Sequence, residues 1–332
     1  MSVAQRQVLI DRTGQLAAGL VVFMLLIAMF RSPAEFFGQT MIGLTNGALI
    51  ALIALGYTMV YGIIELINFA HADVFMLGSM FGMQLIVTSG IDEGSGVFAK
   101  FFIIIVALIV CMVACAAINI AIERVAYRPL RNAPPLAPLI TAIGMSFIIS
   151  NIAQKVWGPS QINVPNLLGD AALFGSVRAK DIFIIGVTAP LLYGLTWYVK
   201  NTRQGKAMRA TAQDKAAAAI MGIDVNRTIA LTFLLGGLLA GASGLLYALV
   251  NTTTVWNAGF KNGMFAFTAA VLGGIGNLTG AVLGGLLLGL ISAYSALYVG
   301  DRWTDVVIFS ILVMVLIFRP TGLLGEQTVS RA

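Results

Sequence analysis

Long, uninterrupted apolar runs constrain the fold of this chain more than any other feature of its sequence. A helix that crosses a bilayer needs about 20 predominantly apolar residues, whereas a membrane β-barrel is built from short segments of alternating polarity. The runs therefore predict an all-α, polytopic membrane bundle of about ten transmembrane helices, with a range of eight to ten. They lie near residues 14–30, 40–62, 72–88, 100–122, 136–156, 181–199, 229–250, 264–276, 278–298 and 305–318.

The composition agrees with this class. Only 10% of the 332 residues are charged and 59% are hydrophobic, whereas a soluble domain averages about 25% charged residues. Glycine pairs four residues apart place small residues on one helix face, where a neighbouring backbone can pack closely. Cys111 and Cys115, one helical turn apart, indicate packing with no disulfide framework and no metal set. The glycine pairs are Gly78 with Gly82, Gly237 with Gly241, Gly280 with Gly284, and Gly285 with Gly289.

The basic residues predict the orientation. If the N-terminus is cytoplasmic, 13 of the 20 basic residues fall in inside segments and 7, including Lys261, fall outside. This bias follows the positive-inside rule, so we expect both termini in the cytoplasm and an even number of spans. Because orientation explains the net charge of +6, we expect no nucleic-acid partner. We interpret residues 14–30 as an uncleaved first helix, and a cleaved signal peptide is the alternative.

A polar patch interrupts the apolar sequence between the second and third runs. The segment Tyr61–Ser79 reads YGIIELINFAHADVFMLGS and contains four polar side chains within nine residues. A second interruption, GGIGN at Gly273–Asn277, predicts a tight turn in or near the membrane. Breaks in both halves of a chain are typical of transporter sites. The four polar residues are Glu65, Asn68, His71 and Asp73.

Several catalytic signatures are missing from the sequence. GGIGNLTG, at Gly273–Gly280, lacks the lysine and the Ser or Thr of a phosphate loop. The sequence contains no His/Cys metal cluster, no activated-serine elbow and no paired carboxylates. We therefore expect no ATP site, no metal and no cofactor in this chain. A membrane enzyme is disfavoured for the same reason.

The longest polar segment, residues 200–228, follows the sixth run and is cytoplasmic by the charge argument. Its alanine-rich core predicts a helix over Lys206–Met221, which Gly222 would end. Met208, Ala212, Ala219 and Ile220 could cover part of one face of it. Two interpretations stay open: a helix that docks a cytosolic partner, or a solvated loop that is basic only to fix topology.

Five segments, in this order from about residue 40 to 325, carry a family resemblance. They are GALIALIALGYTMVYGIIELINFAHADVFMLGS, ERVAYRPLR, RQGKAMRATAQDKAAAAIMGID, FTAAVLGGIGNLTGAVLGG and RPTGLLG. Together they resemble the smaller of the two permease types of branched-chain amino acid ABC transporters. One departure is Ala72, since the family commonly has glycine after this histidine.

The resemblance implies a single permease domain over residues 1–332, in the inner membrane of a bacterium and surrounded by lipid. It implies a second, related permease, two cytosolic ATPases that bind ATP and Mg, and a periplasmic binding protein. The chain would then be a transport subunit and no enzyme. Its substrates would be leucine, isoleucine and valine, although relatives carry urea, short amides or other amino acids. The ATPases would dock on the segment Arg203–Gly222, with Arg203, Lys206, Arg209, Asp214 and Gly222 as coupling residues.

The polar patch then becomes a candidate for the translocation path. Side chains spaced four, four and three apart share one face of a continuous helix, and polar groups in a span usually face the bundle interior or water. We expect this stripe, formed by Tyr57, Tyr61, Glu65 and Asn68, to line the path or its cytoplasmic gate. His71 and Asp73 would lie at the inner turn, capping the next helix or bonding neighbouring carbonyls. A secondary carrier or channel that works alone is the alternative from a different class.

Overall fold

The computed structural model describes residues 33–66, 68–131, 133–134, 136–174, 177–319 and 321–325. The first predicted span, at 14–30, and its interpretation as an uncleaved helix lie outside these residues. Four basic residues used for the orientation lie outside them too: Arg6, Arg12, Arg31 and Arg331.

Helices occupy all nine predicted spans from 40–62 to 305–318, which confirms the all-α class. The helices are α1 Pro33–Ile64, α2 Ala70–Ser89, α3 Val97–Ile122, α4 Leu136–Trp157, α5 Ala179–Asn201, α6 Arg203–Gln213, α7 Lys215–Ile220, α8 Val225–Asn251, α9 Ala258–Gly273, α10 Leu278–Ser295 and α11 Asp301–Phe318. Four short strands lie in the connections between helices: β1 Ile162–Asn163, β2 Ala172–Phe174, β3 Val177–Arg178 and β4 Thr253–Thr254.

Two of the helices continue through irregular turns. A π-helical turn, Glu123–Tyr127, and a short 3₁₀ turn, Arg128–Leu130, extend α3. Another π turn, Ala296–Gly300, joins α10 to α11, and Gly300 bends the chain there with a φ of 103°. The resulting stretch of 41 residues is long enough for two passes of about 20 residues each.

Seven helical stretches of the described chain are long and apolar enough to cross a membrane. α9, with 16 residues, is shorter than the span of about 20 residues that a bilayer requires. This helix begins at Ala258, six residues before the predicted start at 264. Lys261, assigned from the sequence to an outside segment, therefore lies inside a helix. The number of crossings stays a prediction.

The centre of the bundle depends on backbone contacts between helices. A methyl group added to Gly78 of α2 would lie 2.9 Å from the Cα atom of Gly241 in α8. A methyl group added to Gly285 of α10 would lie 2.6 Å from the Cα atom of Ala51 in α1. Each of the four predicted glycine pairs has a member in such contact with a neighbouring backbone, which confirms their packing role. The two cysteines are free and buried in α3, as the sequence predicts.

The bundle has two ends. At one end, the Lys200 Nζ atom lies 3.4 Å from the Thr279 hydroxyl, and the Lys215 Nζ atom lies 3.4 Å from the Ile64 carbonyl oxygen. We call this the basic end, because ten basic residues lie there. They are Arg124, Arg128, Arg131, Lys200, Arg203, Lys206, Arg209, Lys215, Arg227 and Arg319.

The opposite end carries the strands. β1 pairs with β4, and β2 pairs with β3, both antiparallel. Beside them, Lys180 Nζ donates to Asp170 Oδ1 at 2.6 Å, and this contact lowers the pKa of the Asp170 carboxyl. The Trp256 indole donates to the Pro159 carbonyl oxygen at 3.2 Å. These contacts join the loops before α5 to the connection between α8 and α9.

Candidate functional site

The predicted polar stripe does not extend along one helix, because α1 ends at Ile64. Glu65 follows with a left-handed backbone (φ 63°), which is uncommon for a residue other than glycine, and its side chain is exposed. Tyr57 and Tyr61 therefore lie on α1, whereas Asn68 belongs to the connection before α2. The expectation of a continuous stripe of four residues is wrong in this respect.

Asn68 is buried against the end of α3. Its Oδ1 atom accepts a hydrogen bond from the Tyr127 hydroxyl at 2.9 Å, and the Tyr127 ring lies 5.4 Å from the ring of Phe233 in α8. Its Nδ2 atom has no hydrogen-bond partner among the described residues. Asn68 thus ties the α1–α2 connection to the first part of the ERVAYRPLR motif.

The last residue of that motif, Arg131, fixes the motif to α8. Its guanidinium forms an ion pair with Glu123, whose side chain is buried, and also donates to the Asn226 side chain. A buried carboxylate is costly unless it is paired, and this arrangement supplies the pair. The motif therefore forms a clamp between the end of α3 and the start of α8.

His71 is completely buried and fills the space beside Gly56. A side chain added to Gly56 would overlap the imidazole, and the Tyr57 ring centre lies 5.1 Å from the imidazole centre in an edge-to-face arrangement. Neither ring nitrogen has a hydrogen-bond partner in the described part of the chain. The His71 side chain is therefore held by packing against α1, and its predicted capping or bonding of a neighbouring carbonyl stays a prediction.

Asp73 lies in the first turn of α2, where the helix dipole favours a negative charge, as the sequence predicts. It is 3% exposed. The Ser146 hydroxyl of α4 donates to its Oδ2 atom. Its Oδ1 atom would lie 2.8 Å from a methyl group added to Gly259 at the start of α9. Three helices thus meet at this carboxylate.

Sequence reasoning missed the second half of this meeting point. After α8 the chain turns back into the bundle, where the Thr254 hydroxyl lies 2.6 Å from the Ser79 hydroxyl of α2. α9 then begins against the first turn of α2, because Gly259 allows the Ala72 carbonyl oxygen to approach. The polar run NTTTVWNAGFKNG at 251–263 was the available signal for this break.

The meeting point lies halfway along a candidate span. Ser146 is the eleventh of the 22 residues of α4, so its contact with Asp73 is near the middle of a helix about 33 Å long. We call Ala72, Asp73, Ser146 and Gly259 the midpoint junction. It places the N-terminal ends of α2 and α9 at one depth in the bundle, as in the broken helices of transporters.

The predicted tight turn at GGIGN is confirmed and is covered by the RPTGLLG motif. Gly274 and Gly276 have left-handed φ angles of 107° and 92°. The Asn277 side chain caps α10 by accepting from the Gly280 N–H at 3.0 Å. Near the end of the described chain, the Leu324 N–H donates to the Gly273 carbonyl oxygen at 3.0 Å. Two separate motifs of the resemblance therefore form one unit at the basic end.

Residues 203–222 form two helices where the sequence predicted one over Lys206–Met221. α6 ends at Gln213, because the carboxylate of the next residue, Asp214, accepts from the N–H groups of Ala216 and Ala217 and so starts α7. Gly222 ends α7, as predicted, with a φ of 82° and the paired backbone bonds of a Schellman motif. We call α6, α7 and the residues up to Gly222 the α6–α7 segment.

The predicted apolar face of this segment is divided between two roles. Met208 is buried against the bundle, whereas Ala219 is exposed. Ile220 and Met221 are 85% and 81% exposed. The tip of the segment therefore presents large apolar side chains to its surroundings.

The predicted coupling cations also differ from one another. Arg203 and Lys206 are exposed on α6. Arg209 reaches back to the end of α5, where its guanidinium donates to the carbonyl oxygens of Val199 and, at 3.0 Å, Lys200. Such carbonyls have no partner within their own helix. Arg209 thus fixes the α6–α7 segment to the bundle.

Comparison with known proteins gives consistent matches over most of the chain. Residues 39–316 match the family model described as branched-chain amino acid transport system / permease component. The chain is 41% identical over 307 residues to the high-affinity branched-chain amino acid transport system permease protein BraD of Pseudomonas aeruginosa, covering 88% of this chain and 97% of BraD. It is 40% identical over 310 residues to the protein of the same description, LivH, of Escherichia coli, covering 89% and 97%. No solved structure matches the chain.

Proposed function

Because this chain belongs to the branched-chain amino acid transport system permease family, we propose that it is the membrane-spanning permease subunit of an ABC importer for branched-chain amino acids. The observation that carries the proposal is the similarity to BraD and LivH, which extends over 97% of each relative. Both relatives are described as high-affinity permease proteins for this substrate class.

The energy source belongs to partner subunits in this proposal. Two cytosolic ATPases bind ATP and Mg, and they dock on the α6–α7 segment. Its exposed tip, with Ile220 and Met221, supports this assignment because large apolar side chains at a polar surface indicate a protein partner. Asp214 and Gly222 shape the tip, Arg209 holds the segment in place, and Arg203 and Lys206 supply charge around it.

The basic end faces the cytoplasm of a bacterial inner membrane. Ten of the basic residues in the described chain lie at this end, and the positive-inside rule favours that side. A periplasmic binding protein then delivers substrate at the opposite end, where an open depression adjoins the strands. Its lining is Val87, Glu93, residues 163–166, Thr252 and Thr253.

The path runs beside the midpoint junction and closes against the second, related permease. The part of the path nearest the basic end is a narrow cleft between α1 and α9. The cleft is lined by Tyr57, Thr58, Tyr61, Phe267, Ala270 and Ile275. Of the four predicted path residues, Glu65 is exposed and Tyr61 partly so, whereas Tyr57 and Asn68 are buried in this conformation. His71 and Asp73 support the path from within the bundle.

Reconstitution tests the proposal. The chain is purified with its partner permease and both ATPases, placed in proteoliposomes, and supplied with the binding protein. We expect uptake of labelled leucine, isoleucine and valine that requires ATP and ceases when the ATPase active site is inactivated. Uptake by this chain alone that follows an ion gradient would contradict the proposal.

Competition identifies the substrate class in the same vesicles. We expect unlabelled valine to suppress leucine uptake, whereas urea and acetamide at the same concentration leave it unchanged. If only the amides compete, the chain serves a different importer of the same architecture. Subunits that co-purify with the tagged chain, identified by mass spectrometry, give the composition of the complex independently.

A further inference from the structure

An exposed ion pair joins α9 to α11. The Lys261 Nζ atom lies 3.0 Å from Asp305 Oδ1, and the two side chains are 61% and 45% exposed. The ammonium also lies 5.6 Å from the centre of the Phe265 ring. The family motifs do not include this pair, and the midpoint junction uses neither residue.

The depth of the pair follows from its neighbours. Gly259 contacts Asp73, which Ser146 contacts halfway along α4. Lys261 is two residues beyond Gly259 on the same helix, a shift of about 3 Å along its axis. The hydrocarbon core of a bilayer is about 30 Å thick, so the pair lies well inside it.

Lipid is an unsuitable environment for such a pair. Charged groups at the centre of a bilayer cost about 3 kcal/mol or more each and usually face the bundle interior or a water-filled space. The outer face of α3 shows the contrast, because its exposed residues Ile105, Ile109 and Val113 are apolar. The ion pair of Lys261 and Asp305 therefore distinguishes this part of the α9–α11 face from the apolar outer face of α3.

We propose that the α9–α11 face, centred on Lys261 and Asp305, lines the aqueous translocation path and contacts the charged ends of a zwitterionic α-amino acid. The ammonium of Lys261 meets the substrate carboxylate, and the carboxylate of Asp305 meets the substrate ammonium. Phe260, which is 71% exposed beside the pair, provides apolar surface for the side chain of the amino acid. This inference rests on the proposed function and names the residues that serve it.

Thiol labelling tests the exposure to water. In the assembled transporter in a bilayer, Phe260→Cys should react with a polar thiol reagent at least ~10-fold faster than Val113→Cys, because the reactive thiolate forms in water and not in lipid. The unmodified chain, with both cysteines buried, gives the blank. Excess leucine should slow labelling at position 260. Equal rates at the two positions would overturn the proposal, whether lipid or a partner subunit covers the face.

Charge variants test the contact with substrate. We expect the uncharged pair Lys261→Met with Asp305→Leu to assemble normally and to lower leucine uptake by about 10-fold, since two charged contacts are lost. The exchanged pair Lys261→Asp with Asp305→Lys keeps both charges and should recover most of the uptake. Normal uptake by the uncharged pair would exclude the role in transport.

The unmodified complex is measured in the same preparation. If it lacks ATP-dependent uptake, the proposed function itself fails. If it transports normally while labelling at 260 is as slow as at 113, only the inference about this face fails.

Discussion

The midpoint junction and the tip of the α6–α7 segment both depart from the usual distribution of side chains. The junction buries a charged group, whereas the tip exposes apolar groups. At the junction, Asp73 is a carboxylate that is 3% exposed within an apolar bundle. At the tip, Ile220 and Met221 are more than 80% exposed at the most polar end of the protein. The first arrangement is satisfied within the chain, whereas the second is not. That difference separates a site built by the fold from a surface whose apolar side chains the chain itself leaves exposed.

The two regions are also held together by different forces. At the junction, Gly259 lets the backbone of α9 approach the Ala72 carbonyl oxygen of α2, so Asp73 is fixed by the atoms packed around it. At the tip, the conformation depends on local hydrogen bonds, with Asp214 starting α7 and Gly222 ending it. Substitutions should therefore affect stability strongly around the junction and weakly at the tip.

The largest loss of stability is expected at Gly244 of α8. A methyl group there would overlap the Phe75 carbonyl oxygen and lie 2.6 Å from the Ser79 backbone nitrogen of α2. Because neither helix can move without breaking other glycine contacts, we expect Gly244→Ala to cost about 3 kcal/mol. Thermal unfolding of the purified complex measures this. Gly186→Ala is the matched control, since nothing lies within 4 Å of that position, and equal melting temperatures would refute the packing argument.

A smaller loss is expected at Asp73. Leucine in its place would leave the Ser146 hydroxyl without its acceptor and would press against Gly259, so we expect a cost of about 2 kcal/mol. Asparagine keeps the size and an oxygen acceptor, and its cost should be about 1 kcal/mol or less. Denaturation midpoints of Asp73→Leu and Asp73→Asn are compared in the same detergent. If the two variants are equally stable, the hydrogen bond to Ser146 does not hold the junction.

A still smaller effect is expected where the segment joins the bundle. Arg209→Gln removes a positive charge from the C-terminal carbonyls of α5, which should cost about 1 kcal/mol. Arg203→Gln removes the same charge from an exposed position and should cost about 0.5 kcal/mol or less. Hydrogen exchange of the α5 and α6 amides locates the loss. Faster exchange in the Arg203 variant than in the Arg209 variant would show that the cap is unimportant.

The sequence predicted the parts of this comparison that depend on local patterns. The nine described helices in the predicted spans follow from hydropathy, and Gly222 follows from its place after an alanine-rich helix. The break at Asp214 was missed because alanine propensity favoured one helix, although an aspartate before KAAAA can start a new one. The exposure of Ile220 could not be predicted, because it depends on how the segment rests against the bundle.

The candidate site was predictable only in part, because it depends on contacts between distant segments. The apolar pattern shows that the polar patch lies in the bundle, and the position of Asp73 at a helix start was predicted. The left-handed turn at Glu65 removes Asn68 from the helical stripe. That turn could not be predicted, because glutamate is not a residue type that favours a left-handed backbone. The meeting of α2 with α9 joins positions 73 and 259, whose proximity only the folded chain reveals. For the same reason Lys261 was assigned to an outside segment.

A substitution at the tip should have the smallest effect on stability and the clearest effect on function. Ile220 is 85% exposed, so Ile220→Asp should change the melting temperature little, with a cost of about 0.5 kcal/mol or less. If an ATPase covers this side chain, the buried charge should lower substrate-stimulated ATP hydrolysis by about 10-fold or more. Gln204→Asp adds the same charge at an exposed position of α6 and should leave hydrolysis unchanged. If ATP hydrolysis falls equally in both variants, the coupling depends on the charge of the segment and does not depend on an apolar contact at its tip. Because the fold satisfies the junction but not the tip, a variant that leaves the fold intact and abolishes coupling would establish the tip as a surface completed by its partner.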